Sequence, residues 1–297
     1  MRIVHITAGA GGRLCGSCLH DNALVRALRT RGRDAILVPA YVPTTTDEEN
    51  VAIDRVVMGG INVWLQEHVA LFRHAPRWLD ALLGPVLDSR RLLGRLSART
   101  GTARPADLGP LTVSALEGEV GRHRKEVAKL CRWLAAEVRP DVVHLSNALL
   151  VGLARGIREA TGAAVACSLS GEDIFIGQLP EPHRSQVLRL LRERAADVDR
   201  FVAFNHAFAR SMAGTLGLAA AGIAVIPHGV DPVGFPVAPP DLAARRRGRL
   251  VVGALARACP EKGLDVLVRA LPLLARDRDV EVLAAGAEVA AERGYLD

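Results

Sequence analysis

The sequence has almost no lysine. Of its 38 basic residues only Lys125, Lys129 and Lys262 are lysines; the rest are arginines. So strong an arginine bias is a background preference of the coding sequence, which makes a single arginine uninformative and a lysine slightly more telling. Cysteine is scarce too, five in 297 residues, and the number is odd. That argues against a disulfide-stapled fold and for a reducing compartment. No stretch of about 18 uncharged apolar residues occurs, so no spanning helix is expected. The amino-terminal run MRIVHITAGAGG is too short and too glycine-broken for a secretion signal. These absences together lead to the expectation of a cytoplasmic protein. With 49% apolar residues the chain is not one that stays disordered.

The formal charge of +6 is unevenly spread. Seven arginines (73, 77, 90, 91, 95, 99 and 104) face only Asp80 and Asp88 between His68 and Pro105. The remainder is nearly neutral, so a nucleic-acid-binding surface is not expected. Trp64, Phe72 and Trp78 lie in or beside the basic segment. It reads as a solvated or core-packed helical face, with peripheral contact to an anionic membrane as the other reading.

Strand-like and helix-like runs alternate along most of the chain. RIVHIT (2–7) is followed by a glycine-rich turn, a helical run ending near Gly32, and the strand DAILVP. Residues 51–66 read as two short strands around Gly59-Gly60, 76–99 as a basic helix, and 111–139 as one long helix. DVVHLS (141–146), AAVACSLS (163–170), RFVAF (200–204) and IAVIP (223–227) read as further strands separated by helices, with GEDIFIGQLPEP as a polar loop. Strands that are apolar on successive positions are those covered on both faces. The rhythm predicts an α/β fold with a doubly wound parallel sheet, whose ligands gather at the carboxyl ends of the strands. Residues 228–248 break it with four prolines and a triple arginine and read as a linker. The predicted organisation is a lobe over 1–227, the linker 228–248, and the start of a second Rossmann-like lobe over 249–297.

The motifs are individually weak. Gly9 and Gly11 fit the first two positions of a dinucleotide fingerprint, but Leu14 occupies the third and no acid ends the next strand, which demotes that reading. Gly11 and Gly12 still permit close backbone approach beside a helix amino end, a favourable place for an anion; a turn that only packs strand on helix is an equal alternative. Cys15-Gly-Ser-Cys18 lacks the second pair a zinc site needs, and no metal is expected. A redox role is conceivable for it, though a pair of small loop residues is the blander reading. His144 ends a strand and is either a site residue or a packed neutral one. Glu172 and Asp173 follow another strand, where they meet a sugar hydroxyl or cation, or are simply solvated. Arg257 and Lys262 flank a strand-to-helix turn, where two fixed cations and a helix amino end suit one diphosphate.

Four segments together resemble the glycosyltransferases of family 4: RIVHITAGAGG, DVVHLS, IPHGVD (226–231) and RACPEKG (257–263). The resemblance implies the two-lobed GT-B fold and retaining transfer of a sugar from a nucleotide-diphosphate donor to a carbohydrate or lipid acceptor, without a metal or other cofactor. It implies that Arg257 and Lys262 hold the donor diphosphate, and that Gly11 and Gly12 border donor and acceptor. His228 and Gly229 would sit between the lobes, with His144, Glu172 and Asp173 as the candidate catalytic set. There are departures. His228 replaces the family's asparagine, Ser146 follows Leu145 where many relatives have a second histidine, and Ser170 stands where many have a histidine before the acidic pair. The family's later Glu-x7-Glu pair has no counterpart after Arg249, since Val289 and Leu296 stand eight places after Glu281 and Glu288. The chain is therefore expected to hold the first lobe and only the opening of the second. A non-catalytic binding lobe and, more weakly, a redox protein using Cys15 and Cys18 are the alternatives.

Overall fold

The computed structural model describes residues 1–10, 15–59, 63, 105–233, 250–276, 279–286 and 295. The basic segment 68–104, the glycines Gly11 and Gly12, and most of the linker lie outside the described residues. The chain divides into two compact units, Met1–Gly229 and Val230–Asp297.

The first unit is built on six parallel strands: β1 (Arg2–Thr7), β2 (Asp34–Pro39), β3 (Val142–Leu145), β4 (Ala164–Leu169), β5 (Arg200–Ala203) and β6 (Ile223–Val225). Their spatial order is β2-β1-β3-β4-β5-β6. Helix α1 (Gly16–Thr30) carries the chain from β1 to β2. It sets Val25 and Leu28 against Ile3, Ala35 and Leu37 on one sheet face. The opposite strand residues, among them Val4, Ile6, Val143, Leu145, Val165, Cys167, Leu169 and Phe201, join a larger core on the other face. That face is covered by α2 (Pro105–Glu117), α3 (Arg124–Trp133), α4 (Ala154–Thr161), α6 (His183–Ala195) and α7 (His206–Leu216) through residues such as Leu116, Leu130, Ile157, Leu191 and Met212. Helices on both faces give the expected doubly wound sheet. The strand order reverses between β1 and β3, and in open sheets of this kind ligands gather outside the carboxyl ends of the strands at such a reversal.

Three sequence expectations need correction. The long helix over 111–139 is broken: α2 ends at Glu117, a short 3-10 turn follows, and α3 runs into a π-type turn at Leu134–Val138. The break is steric. Gly118 has φ 61°, and a Cβ there would fall 2.0 Å from the Gly152 carbonyl oxygen. Arg194, 5% exposed, secures the broken end by donating to the carbonyls of Leu116 and Glu117, the negative end of α2, and to Glu119. The run after β4 is not a loop but α5 (Glu172–Gln178). Of the two strands expected in 51–66, the described residues contain only a single bridge, Ala52 beside Leu37.

The second unit contains the parallel pair β7 (Leu250–Leu255) and β8 (Val280–Ala285), linked through α8 (Leu264–Leu274). Tyr295 donates its hydroxyl to Asp265 Oδ1 at 2.6 Å and accepts from the Asp265 amide at 2.9 Å, which ties residue 295 to the first turn of α8.

Candidate functional site

In the first unit a buried polar chain crosses the sheet at the strand-order reversal. His5 on β1 and His144 on β3 are register partners. Their rings meet edge to face, with the two Nδ1 atoms 3.1 Å apart. His144 Nε2 lies 2.8 Å from Ser168 Oγ on β4, and His5 Nε2 lies 2.9 Å from Asp21 Oδ1 on α1. Period-two alternation explains the set: His5, His144 and Ser168 share a face, while their apolar neighbours enter the larger core on the other.

The electrostatics follow from burial and contact. Burial alone would push the Asp21 carboxyl up, but electrostatic attraction to the His5 ring and hydrogen bonds from His20, His5 and Thr7 outweigh it and hold it below the ordinary range. Burial, reinforced by His5, drives the His144 imidazole down to about 3. His144 is therefore neutral at physiological pH and carries one ring hydrogen. Either its Nδ1–H donates to His5 while Nε2 accepts from the Ser168 hydroxyl, or both bonds reverse. Such a chain orients its members and can pass a proton along its length. The His144 ring is packed between His5 and Ser168, at the strand end where ligands gather.

Glu172, read with Asp173 as a candidate for meeting a sugar hydroxyl or cation or else as solvated, is a buried residue at the start of α5. It is 5% exposed; its Oε1 accepts the Ala148 amide at 2.8 Å and its Oε2 the Ser170 amide at 2.6 Å. Both oxygens thus hold backbone around the ends of β3 and β4, and burial pushes the carboxyl up despite these bonds. Asp173, one residue on, is exposed. His228 follows β6 with its ring stacked on Phe204 and edge-on to His20, centroids 5.2 and 4.4 Å apart. Burial and the neighbouring His20 shift its imidazole down. Gly229 ends the first unit, with open space where a side chain would begin. Sequence reading missed His5, Asp21 and Ser168. The signal available was the strand-end position of His5, matching that of His144, and the polar His-Asp-Asn run one turn into α1.

In the second unit Arg257 and Lys262 line one concavity of about 290 Å³. Its walls are the carboxyl ends of β7 and β8, through Ala254 and Ala285, and the start of α8, through Gly263, Leu264 and Leu267. The 3-10 turn Pro260–Lys262 and Gly263 bring the chain from β7 into α8, which places both cations beside a helix amino end. Both side chains are exposed, and among the described residues neither is paired with a carboxylate. The strand ends are pressed together: a Cβ at Gly286 would fall 1.7 Å from the Ala256 carbonyl oxygen. The result is a small concavity that brings two cations to a helix amino end, the elements of an anion site. Among the described residues no group of three or more His, Cys, Asp or Glu is disposed to hold a metal ion, and no helix is long and apolar enough to cross a membrane.

Residues 97–233 match Glycosyltransferase Family 4. The matched segment, a little under half of the chain, includes β3 to β6 and the helices between them, hence His144, Ser168, Glu172 and His228 of the described site. No curated protein matches the sequence. Solved structures of HepE from Anabaena align with it. The HepE complex with UDP gives a TM-score of 0.55, that with UDP and glucose 0.54, and that with UDP-glucose 0.51, each at 16% identity. Each alignment covers 100% of this chain, and 64%, 64% and 63% of HepE respectively. The chain thus spans less than two thirds of the length of HepE. At this identity the likeness establishes fold: the parallel six-stranded sheet is that of the GT-B glycosyltransferases.

Proposed function

We propose that the protein takes part in glycosyl transfer, moving a hexosyl group from a nucleotide-diphosphate sugar to an acceptor hydroxyl with retention at the anomeric carbon. The observation that carries the reading is the concavity in which Arg257 and Lys262 meet the amino end of α8. The Family 4 match and the binding of UDP and UDP-glucose by HepE support it.

The reaction breaks the bond between the anomeric carbon and the diphosphate and joins that carbon to the acceptor oxygen, whose proton departs. Negative charge grows on the leaving diphosphate as the bond lengthens. Two fixed cations and a helix dipole stabilise that charge more in the transition state than in the bound donor, and so speed the step as well as bind. In this reading the first unit receives the acceptor at the β1–β3 strand ends, where the Asp21–His5–His144–Ser168 chain fixes the floor. Asp173, the exposed member of the acidic pair, is the carboxylate available to an acceptor hydroxyl; Glu172 shapes the backbone beneath it. The acceptor is a carbohydrate or a lipid, and for a lipid the segment 68–105 would supply peripheral membrane contact at a cytoplasmic face.

The test is turnover. The chain is incubated with UDP-glucose and other nucleotide sugars plus simple glycoside and lipid-linked acceptors, with nucleoside diphosphate release and the product anomer followed by NMR. Release with an α-linked product from an α-linked donor supports the reading. Binding of UDP without release from any donor supports instead a non-catalytic lobe.

A further inference from the structure

The Cys15–Cys18 pair has no part in the glycosyl-transfer reading, yet its placement is specific. Cys15 is the residue that caps α1: its backbone is extended (φ −129°, ψ 126°), and its carbonyl accepts the Leu19 amide at 3.0 Å, the first helical bond. Its side chain therefore leaves the chain at the amino end of α1, the positive end of the helix. Cys18 lies three residues on, in the same turn. Residues so spaced have Cβ atoms about 5–6 Å apart, and the spacing suits the Cα separation of about 4.4–6.8 Å that a disulfide needs. The two differ in access: Cys15 is half-buried, while Cys18 is 2% exposed.

Position separates the sulfurs chemically. The neighbouring Cys18 thiol and the helix-start amides hold Cys15 below the ordinary thiol range, against the opposing effects of burial and the Asp21 charge. The neighbouring Cys15 sulfur and burial push Cys18 up. The reachable sulfur thus has the larger thiolate fraction, and its buried neighbour keeps its proton. The remaining cysteines contrast with this. Burial raises Cys131 to about 11 and Cys167 well above the ordinary value, and Cys259 is fully buried. A thiolate at a helix start beside a second thiol is the arrangement that performs disulfide exchange.

We propose that Cys15 and Cys18 form a thiol–disulfide exchange site, with Cys15 attacking and Cys18 resolving, whose substrate is a low-molecular-weight disulfide. The Cys15 thiolate attacks one sulfur of R–S–S–R, forming Cys15–S–S–R and releasing RS⁻. That thiolate takes the Cys18 proton and leaves as RSH. The Cys18 sulfur then attacks the Cys15 sulfur and expels the second RS⁻. The small disulfide is reduced to two thiols and the protein gains one disulfide, with electrons, protons and charge balanced. Access explains the order of events: the substrate meets the half-exposed sulfur first, and the buried one completes the exchange from within.

The test uses the full chain and oxidised glutathione at neutral pH, read by intact mass and peptide mapping. The expected product has lost two hydrogens and links Cys15 to Cys18, with Cys131, Cys167 and Cys259 still free to alkylate after unfolding. Cys18→Ser should stop at one glutathione on Cys15. Cys15→Ser, which places a good capping residue at the helix start, should take up none. Iodoacetamide at pH 6 should label Cys15 about tenfold faster than it labels glutathione, because the larger thiolate fraction outweighs the lower nucleophilicity. Labelling no faster than that of glutathione, a Cys18→Ser chain without an adduct, or oxidation that persists in Cys15→Ser would overturn the assignment.

Discussion

Replacing Asp21 with alanine tests whether the buried chain under the β1–β3 edge is held by charge. The carboxylate and the His5 ring pair at 2.9 Å with side chains 3% and 2% exposed. Removing one partner of such a pair leaves the other desolvated and uncompensated, at a cost of about 3–5 kcal/mol. At about 1.4 kcal/mol per decade, amide exchange in β1 and β3 should accelerate by roughly a hundred- to several-thousand-fold. Hydrogen exchange with mass spectrometry reads this by peptide and keeps the two units apart. Asp21→Asn retains one acceptor oxygen toward His5 and should cost less, about 1–3 kcal/mol. The pH dependence supplies the sign. The folded carboxyl is held low, so its contribution is complete above the unfolded value of about 3.9 and fades as pH falls toward the folded one. Asp21→Ala should lack that part of the acid limb. Protection in β1 within a few-fold of the parent protein, or an unchanged acid limb, would refute the reasoning.

Two further outcomes follow from the same geometry. His144 is held down to about 3, so its contribution is complete above about 6.5 and is lost as pH falls through 3; His144→Gln should flatten the decline of stability between those values in a pH series of urea titrations. Glu172→Gln replaces one of two acceptor oxygens with a donor facing an amide, and should lower stability by about 1–3 kcal/mol with faster exchange at the Ala148 and Ser170 amides.

The sheet was legible in the sequence because each strand is a short apolar run punctuated by glycine or proline. The run-on helix over 111–139 misled because apolar spacing continues across Gly118, and the requirement for glycine there arises from Gly152, 34 residues away, approaching its Cα. Glu172 was misplaced for a similar reason. Its partners, the Ala148 and Ser170 amides, include one brought by another strand, and no local pattern announces a carboxylate that anchors backbone. Of the polar chain only His144 was visible, from its strand-end position. Its partnership with His5 depends on the β1–β3 register, which joins residues 139 positions apart. That Arg257 and Lys262 line one concavity was legible because one short turn separates them, where spacing nearly determines proximity.

Calorimetric titration of UDP into the parent chain, Arg257→Ala and Lys262→Ala addresses the donor site most directly. Each cation should contribute a charge-assisted contact of about 1.5–3 kcal/mol, so each substitution should weaken binding by roughly ten- to a hundredfold, and added salt should narrow the difference. Equal affinity for all three proteins would contradict a diphosphate held in the concavity at the head of α8.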